Sequence, residues 1–190
     1  MDIINDIKDI DRRSLIGGET RLDDRYYGQL QHAMAKMIDG NILNTAVTTL
    51  IDTTNLALLF RSALKETTDS LGDFFLGGGQ VFSEAALREM STMKPLEIIS
   101  RLEETDYALF AQDMVKLYEK TGMIDAVDRI IEKQKFRLLQ ELLSPRVLSP
   151  CNLFWYLILK EYEIRNLRLL LKATFDGVSP SETRDYLVMA

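Results

Sequence analysis

Apolar side chains return every three or four residues along most of this chain, and almost nowhere in strict alternation. That spacing marks helices with one buried face and not half-buried strands. It predicts a helix over residues 24–38, from Asp24 to Ile38, stopping before Gly40. A second is predicted over 42–65, where Leu43, Val47, Leu50, Ile51, Thr54 and Leu58 form one stripe. Gly77-Gly78-Gly79 breaks the pattern. Ser83 suits the N-cap of a short helix ending at Met90, and Pro95 suits the first turn of another reaching Glu104. Residues 105–120 and 123–143 are periodic again, with Gly122 as a left-handed cap between them and Pro145 after them.

The final long helix has the clearest punctuation. Ser149 precedes Pro150, and Gly177 follows the last turn, so a rod of about 40 Å is predicted over 150–176. Glu161 and Arg165 stand four apart in the favourable order for a pair along that helix. Ser179-Pro180-Ser181-Glu182 reads as a capping box opening a short last helix. In residues 1–23, Ile3, Ile4, Ile7 and Ile10 share a helical face that Gly17-Gly18 is expected to cut off. The fold class is all-α.

Two segments echo each other 111 positions apart. Asp52-Thr53-Thr54-Asn55-Leu56-Ala57-Leu58-Leu59-Phe60-Arg61 is matched by Glu163-Ile164-Arg165-Asn166-Leu167-Arg168-Leu169-Leu170-Leu171-Lys172. An acid (Asp52, Glu163), an asparagine (Asn55, Asn166) and a base (Arg61, Lys172) recur in register, with three leucines between. Repetition of a helical unit implies a body built by stacking, since one unit cannot bury its apolar face alone. The expected organisation is an N-terminal segment 1–23, a first repeat over 24–91 and a second over 92–190. Asparagine lowers helix propensity relative to Leu or Ala. Asn55 and Asn166 are therefore expected to be at least partly buried, hydrogen-bonded to a neighbouring helix.

Composition narrows the function classes. The formal charge of −6 disfavours nucleic acid as a partner, because affinity for phosphate backbones comes from clustered Lys and Arg. No run of 18 apolar residues is present, so no spanning segment is expected. Met1-Asp2-Ile3-Ile4-Asn5-Asp6 lacks the basic-then-apolar order of a secretory leader. The single cysteine, Cys151, fits a reducing compartment.

Candidate chemistry is sparse. His32 is the lone histidine, which excludes multi-histidine metal sites. Cys151 at a helix N-terminus lacks a positioned base nearby in sequence. Gly77-Gly78-Gly79-Gln80 has neither the Lys-Ser/Thr continuation nor the preceding strand of a phosphate loop, so it reads as a turn. Asp2, Asp6, Asp9 and Asp11 lack the spacing of a calcium loop, and Glu161 and Glu163 face different sides of one helix. No catalytic, cofactor-binding or metal-binding residues are assigned.

Leu159-Lys160-Glu161-Tyr162-Glu163-Ile164-Arg165-Asn166-Leu167-Arg168, its apolar continuation, and Gly177-Val178-Ser179-Pro180-Ser181-Glu182 together form a recognisable pattern. It resembles the C-terminal signature of the C subunit of bacterial and archaeal V/A-type ATP synthases, the C/AC39 family that includes the d subunit of the vacuolar ATPase. Val178 stands where that family usually has Leu, and Ser181 where it has an acid. Asp52-x-x-Asn55, Leu59-Phe60-Arg61 and Leu76-Gly77-Gly78-Gly79 resemble the family's middle repeat, as does Arg25-Tyr26-Tyr27. The resemblance covers about residues 24–187; family members are longer and begin with a further helical repeat. It implies a funnel-shaped helical socket, without cofactor or bond chemistry, between the central shaft and the membrane rotor ring, on the cytoplasmic face. Its docking surfaces are expected at the turns Gly77–Gln80 and Ser144–Ser149. The alternative is a generic all-helical interaction scaffold.

Overall fold

The structure is a computed structural model that describes residues 12–65, 74–120, 124–146 and 148–188. These form α1 (Arg12–Met34), α2 (Gly40–Lys65), α3 (Glu84–Met90), α4 (Pro95–Leu102), α5 (Ala108–Lys120), α6 (Ile124–Leu143), α7 (Pro150–Phe175) and α8 (Pro180–Tyr186). There is no strand among the described residues. The predicted face of Ile3, Ile4, Ile7 and Ile10, the aspartates before Arg12 and the Gly122 cap lie outside them.

Local chemistry sets most of the helix ends. The Ser83 hydroxyl accepts from the Ala86 amide, and the Ser149 hydroxyl from the Cys151 amide with Pro150 behind it. Ser179 and Glu182 close a reciprocal capping box on α8. Gly177, at φ 70°, ends α7 in a left-handed turn. The Val178 amide there donates to Ala173 O at 2.9 Å and the Gly177 amide to Thr174 O at 3.3 Å, satisfying carbonyls the helix would leave open.

Two expectations fail at α1. The helix begins at Arg12 and runs through Gly17-Gly18 without a break. Glycine costs a helix interior about 1 kcal/mol but violates no steric limit. At the other end α1 stops at Met34, not Ile38, and a turn leads to Asp39 at φ 56°. That turn brings the chain back so tightly that a Cβ on Gly40 would lie 2.0 Å from the Met34 carbonyl oxygen.

α2 is the central element and joins both apolar clusters. Its first half (Leu43, Ala46, Val47, Ile51) packs with Met34 of α1, Leu139 and Leu143 of α6, and Trp155 and Ile158 of α7. Its second half (Leu56, Leu59, Phe60) packs beneath α3, α4 and α5, with Phe60 edge-on to Phe110 at 5.5 Å. α6 runs antiparallel along it: Arg61 near the end of α2 meets Asp128 near the start of α6. By length and composition α2 matches a membrane span, but its apolar side chains belong to this core.

α6 also carries the joint to α7. The Glu132 carboxylate accepts from Lys135 at 2.7 Å, from the Tyr162 hydroxyl at 2.9 Å, and pairs with Arg165 at 2.6 Å. Arg165 thus pairs across two helices and not with Glu161, the partner predicted from spacing. The across-helix carboxylate is largely buried, so its attraction is less screened than that of a solvated neighbour.

Candidate functional site

Asp52 and Asn55 lie one turn apart on α2 and hold the same loop. The Asn55 amide nitrogen donates to Leu76 O at 2.9 Å, and its oxygen accepts from the Leu76 amide at 2.8 Å. Asn55 is fully buried, so this two-way grip satisfies a buried backbone with no strand beside it. The partner is a loop, not the neighbouring helix expected from sequence. The Asp52 carboxylate accepts from the Gln80 amide at 3.1 Å and the Val81 amide at 3.0 Å. Asp24 and Gln31 on α1 add contacts to the Gly77 amide and the Gly78 carbonyl.

This geometry explains two of the three glycines, Gly78 and Gly79. Gly78 sits at φ 82°, which L side chains rarely adopt. A Cβ on Gly79 would lie 2.1 Å from the Asp52 carboxylate. The Gly77 amide already donates to Asp24 and the Gln80 and Val81 amides to Asp52, so the segment is a turn held by the protein's own carboxylates. Burial raises the Asp52 pKa above the ordinary carboxylate value, while the amides of Val81 and Gln80 oppose that rise. Burial, then the Asp52 charge, pushes the nearby Tyr107 phenol well above its usual range.

The second copy of the motif sits in a different setting. The Asn166 oxygen accepts from the Val188 amide at 3.5 Å, 22 residues on, against 21 between Asn55 and Leu76. Asn166 is only half-buried. Glu163, the counterpart of Asp52, is exposed and pairs with Lys160 on its own helix. Arg61 forms a two-pronged pair with Asp128 at 2.8 and 2.9 Å; Lys172, its counterpart, is exposed with no ion pair among the described residues.

Along that part of α7 the surface is apolar. Leu153, Leu157, Ile164, Leu167, Leu171 and Phe175 are all exposed. Beside them a groove of about 410 Å³ is lined by Tyr156, Leu159, Asn166, Leu167 and Leu170, with Lys160 and Glu163 at its edge. A contiguous face of this kind marks an interaction surface. Sequence reasoning did not name this face; its docking expectation fell on the turns Gly77–Gln80 and Ser144–Ser149. The signal was present: α7 is apolar on more than one stripe, which a helix covered on one side does not need. The Glu132 hub was missed too, since its partners lie on another helix.

The remaining candidates do not converge. His32 is exposed on α1, whereas Cys151 is fully buried among Met34, Leu43 and Trp155. No group of three His, Cys, Asp or Glu is arranged to hold a metal among the described residues.

Comparison with known proteins gives this helical body its relatives. A family model described as ATP synthase (C/AC39) subunit matches residues 2–186. The C subunit of the A-type ATP synthase of Methanocaldococcus jannaschii is 24% identical over 178 residues, covering 92% of this chain and 45% of that protein. Its counterpart from Pyrococcus furiosus, also named as the C subunit of an A-type ATP synthase, is 27% identical over 145 residues, 76% of this chain and 39% of the relative. That of Methanococcoides burtonii is 26% identical over 191 residues, 96% and 52% respectively. The chain thus spans about half the length of the curated relatives it matches. No solved structure matches it. With the family model matched along nearly its whole length, the chain belongs to the ATP synthase (C/AC39) subunit family.

Proposed function

We propose that this chain serves as a non-catalytic central-stalk subunit of a rotary V/A-type ATPase, coupling the rotating shaft to the membrane rotor ring. The observation that carries the reading is the family match over residues 2–186, together with relatives named as the C subunit of A-type ATP synthases. On this reading the chain sits peripherally on the cytoplasmic face, binds shaft and ring subunits, and takes part in ion transport without breaking bonds itself. Residues 24–91 and 92–190 act as two stacked repeats.

The physical chemistry supports a mechanical role. Torque must pass through a body that does not deform, and close-packed interiors resist compression. Here the loop after α2 is held at Leu76, Gly77, Gln80 and Val81 by α1 and α2 side chains, and α6 is joined to α7 by a partly buried ionic hub. Such cross-links remove the soft points that loops otherwise introduce.

The test is assembly. The tagged full chain is expected to co-purify with the shaft subunits and the detergent-solubilised ring of its own organism's ATPase, and to hydrolyse no ATP alone. A folded chain that captures neither component would overturn the coupling role and leave a helical scaffold of another complex.

A further inference from the structure

Asp52 is the one fully buried carboxylate among the described residues. Its Oδ2 accepts from the Gln80 and Val81 amides, but its Oδ1 has no hydrogen-bond partner, although the Tyr107 phenol stands beside it. No cation offsets the charge: the groups that oppose the burial-driven rise of its pKa are loop amides and that phenol, all neutral. A buried carboxylate without a counter-charge is costly to keep.

Asp52 forms one wall of a cavity of about 450 Å³ between α2 and α6, closed by Gln80 and Val81 of the loop and by Asp106 and Tyr107 ahead of α5. That volume falls among small-molecule sites, which run from about 300 to 1,000 Å³, and far exceeds what one water needs. The walls are rich in acceptors and poor in donors. The Thr45 hydroxyl donates to Asn41 O at 3.1 Å and the Thr49 hydroxyl to Thr45 O at 2.9 Å, so both have only oxygen lone pairs left to offer. Asp106 and Glu141 add carboxylates. Arg137, the cationic side chain of the lining, pairs with Glu141 at 3.4 Å, which leaves Asp52 and Asp106 without a counter-charge. Leu138 and Leu142 supply an apolar strip on the α6 side.

We propose that this cavity binds an aliphatic ammonium. Such a group brings N–H donors to walls that lack them, a positive charge to Asp52 and Asp106, and methylenes to Leu138 and Leu142. Asp52 has no surface open to solvent, so it acts through Tyr107, whose ring is fixed by stacking on Phe82 at 5.7 Å. On binding, the Tyr107 hydroxyl donates inward to the unpartnered Oδ1 and turns its lone pairs to the ammonium. An anion meets three carboxylates instead, Asp52, Asp106 and Glu141. A divalent metal lacks its ligands, because no three acidic, His or Cys side chains are arranged for one among the described residues. The inference rests on the cavity and not on the rotor role, so its failure leaves that role standing.

The experiment is calorimetric titration of the full 190-residue chain with 1,4-diaminobutane and, in a second arm, with the amide of Nα-acetyl-lysine. The first arm probes a diffusible amine and the second a lysine side chain of a partner, the two sources of this chemistry. Saturable binding at one site per chain is expected in at least one arm, and the tighter arm identifies the source. Asp52→Asn and Tyr107→Phe are each expected to weaken it at least about tenfold, as loss of a charge-assisted hydrogen bond does. Tyr107→Phe keeps the ring on Phe82, so it reads the site even where Asp52→Asn disturbs the loop. Glu163→Gln, which removes an exposed carboxylate on α7, is expected to change nothing. Three results overturn the proposal: neither amine saturates a site, butan-1-ol binds as tightly as the amine, or Glu163→Gln weakens binding as much as Tyr107→Phe. The last would reduce the effect to diffuse attraction between a cation and an acidic chain.

Discussion

Asn55→Ala isolates the role of the buried asparagine. The substitution removes both hydrogen bonds to Leu76, of 2.9 and 2.8 Å, and leaves the Leu76 amide and carbonyl without partners. Leu76 is itself buried in the cluster with Met34 and Trp155, so water does not readily replace the lost groups. Each net hydrogen bond contributes about 1 kcal/mol, and each orphaned buried group costs about 1–3 kcal/mol. Since the loop can shift to recover part of this, the expected loss is about 3 kcal/mol. For a chain of this length that lowers Tm by about 6–12 °C. Asn166→Ala is the internal control. It loses one long contact at 3.5 Å to Val188, at a half-buried position near the end of the described chain. Its expected effect is within about 1 kcal/mol. The assay is thermal and urea unfolding followed by circular dichroism on both variants, with native-state exchange of the Leu76 amide as a local probe. An Asn55→Ala protein melting within about 2 °C of the parent, or an Asn166→Ala loss as large as that of Asn55→Ala, would refute the clamp as a source of stability.

Four further substitutions test other parts of the fold. At Glu132, burial raises the pKa, but Lys135 and Arg165 outweigh it and hold the carboxyl below its ordinary value of 4.5. A depressed folded-state value contributes stability above the unfolded value, which is lost as pH falls through the folded one. Glu132→Gln is therefore expected to lower stability by about 1–3 kcal/mol at neutral pH, with the gap to the parent closing as pH drops below 4.5; urea melts across pH 3–7 check this, and a gap constant with pH would contradict it. Gly79→Ala drives a methyl to 2.1 Å from the Asp52 carboxylate and is expected to cost about 2–3 kcal/mol, while Gly77→Ala, with its nearest atom at 3.8 Å, stays within about 0.5 kcal/mol. Equal melts for the two glycine variants would mean the loop is not pressed against α2. Gly28→Ala, inside α1 with nothing within 4 Å of the new methyl, is expected to stabilise by about 1 kcal/mol, read as a rise in Tm.

The sequence by itself determined the helical class, most helix boundaries and the echo between Asp52–Arg61 and Glu163–Lys172. The reason is range. A cap such as Ser83, Ser149 or the Ser179–Glu182 box acts over two or three residues, and an apolar stripe repeats within one helix, so both are written locally. Gly17-Gly18 failed as a stop because glycine only shifts a propensity by an amount that surrounding structure overrides. Tertiary structure decided the rest. Asn55 and Asn166 share a motif, yet one is fully buried with two short hydrogen bonds and the other half-buried with one long one, because only α2 is enclosed by other helices. Arg165 had an acid four residues away, but folding placed Glu132 of α6 within 2.6 Å in a less hydrated site. Leu59 and Leu170 occupy the same step of the same pattern, and only the packing of α3–α5 made one of them core and left the other as surface. Periodicity says which side chains need cover; which of them receive it depends on chain that is distant in sequence.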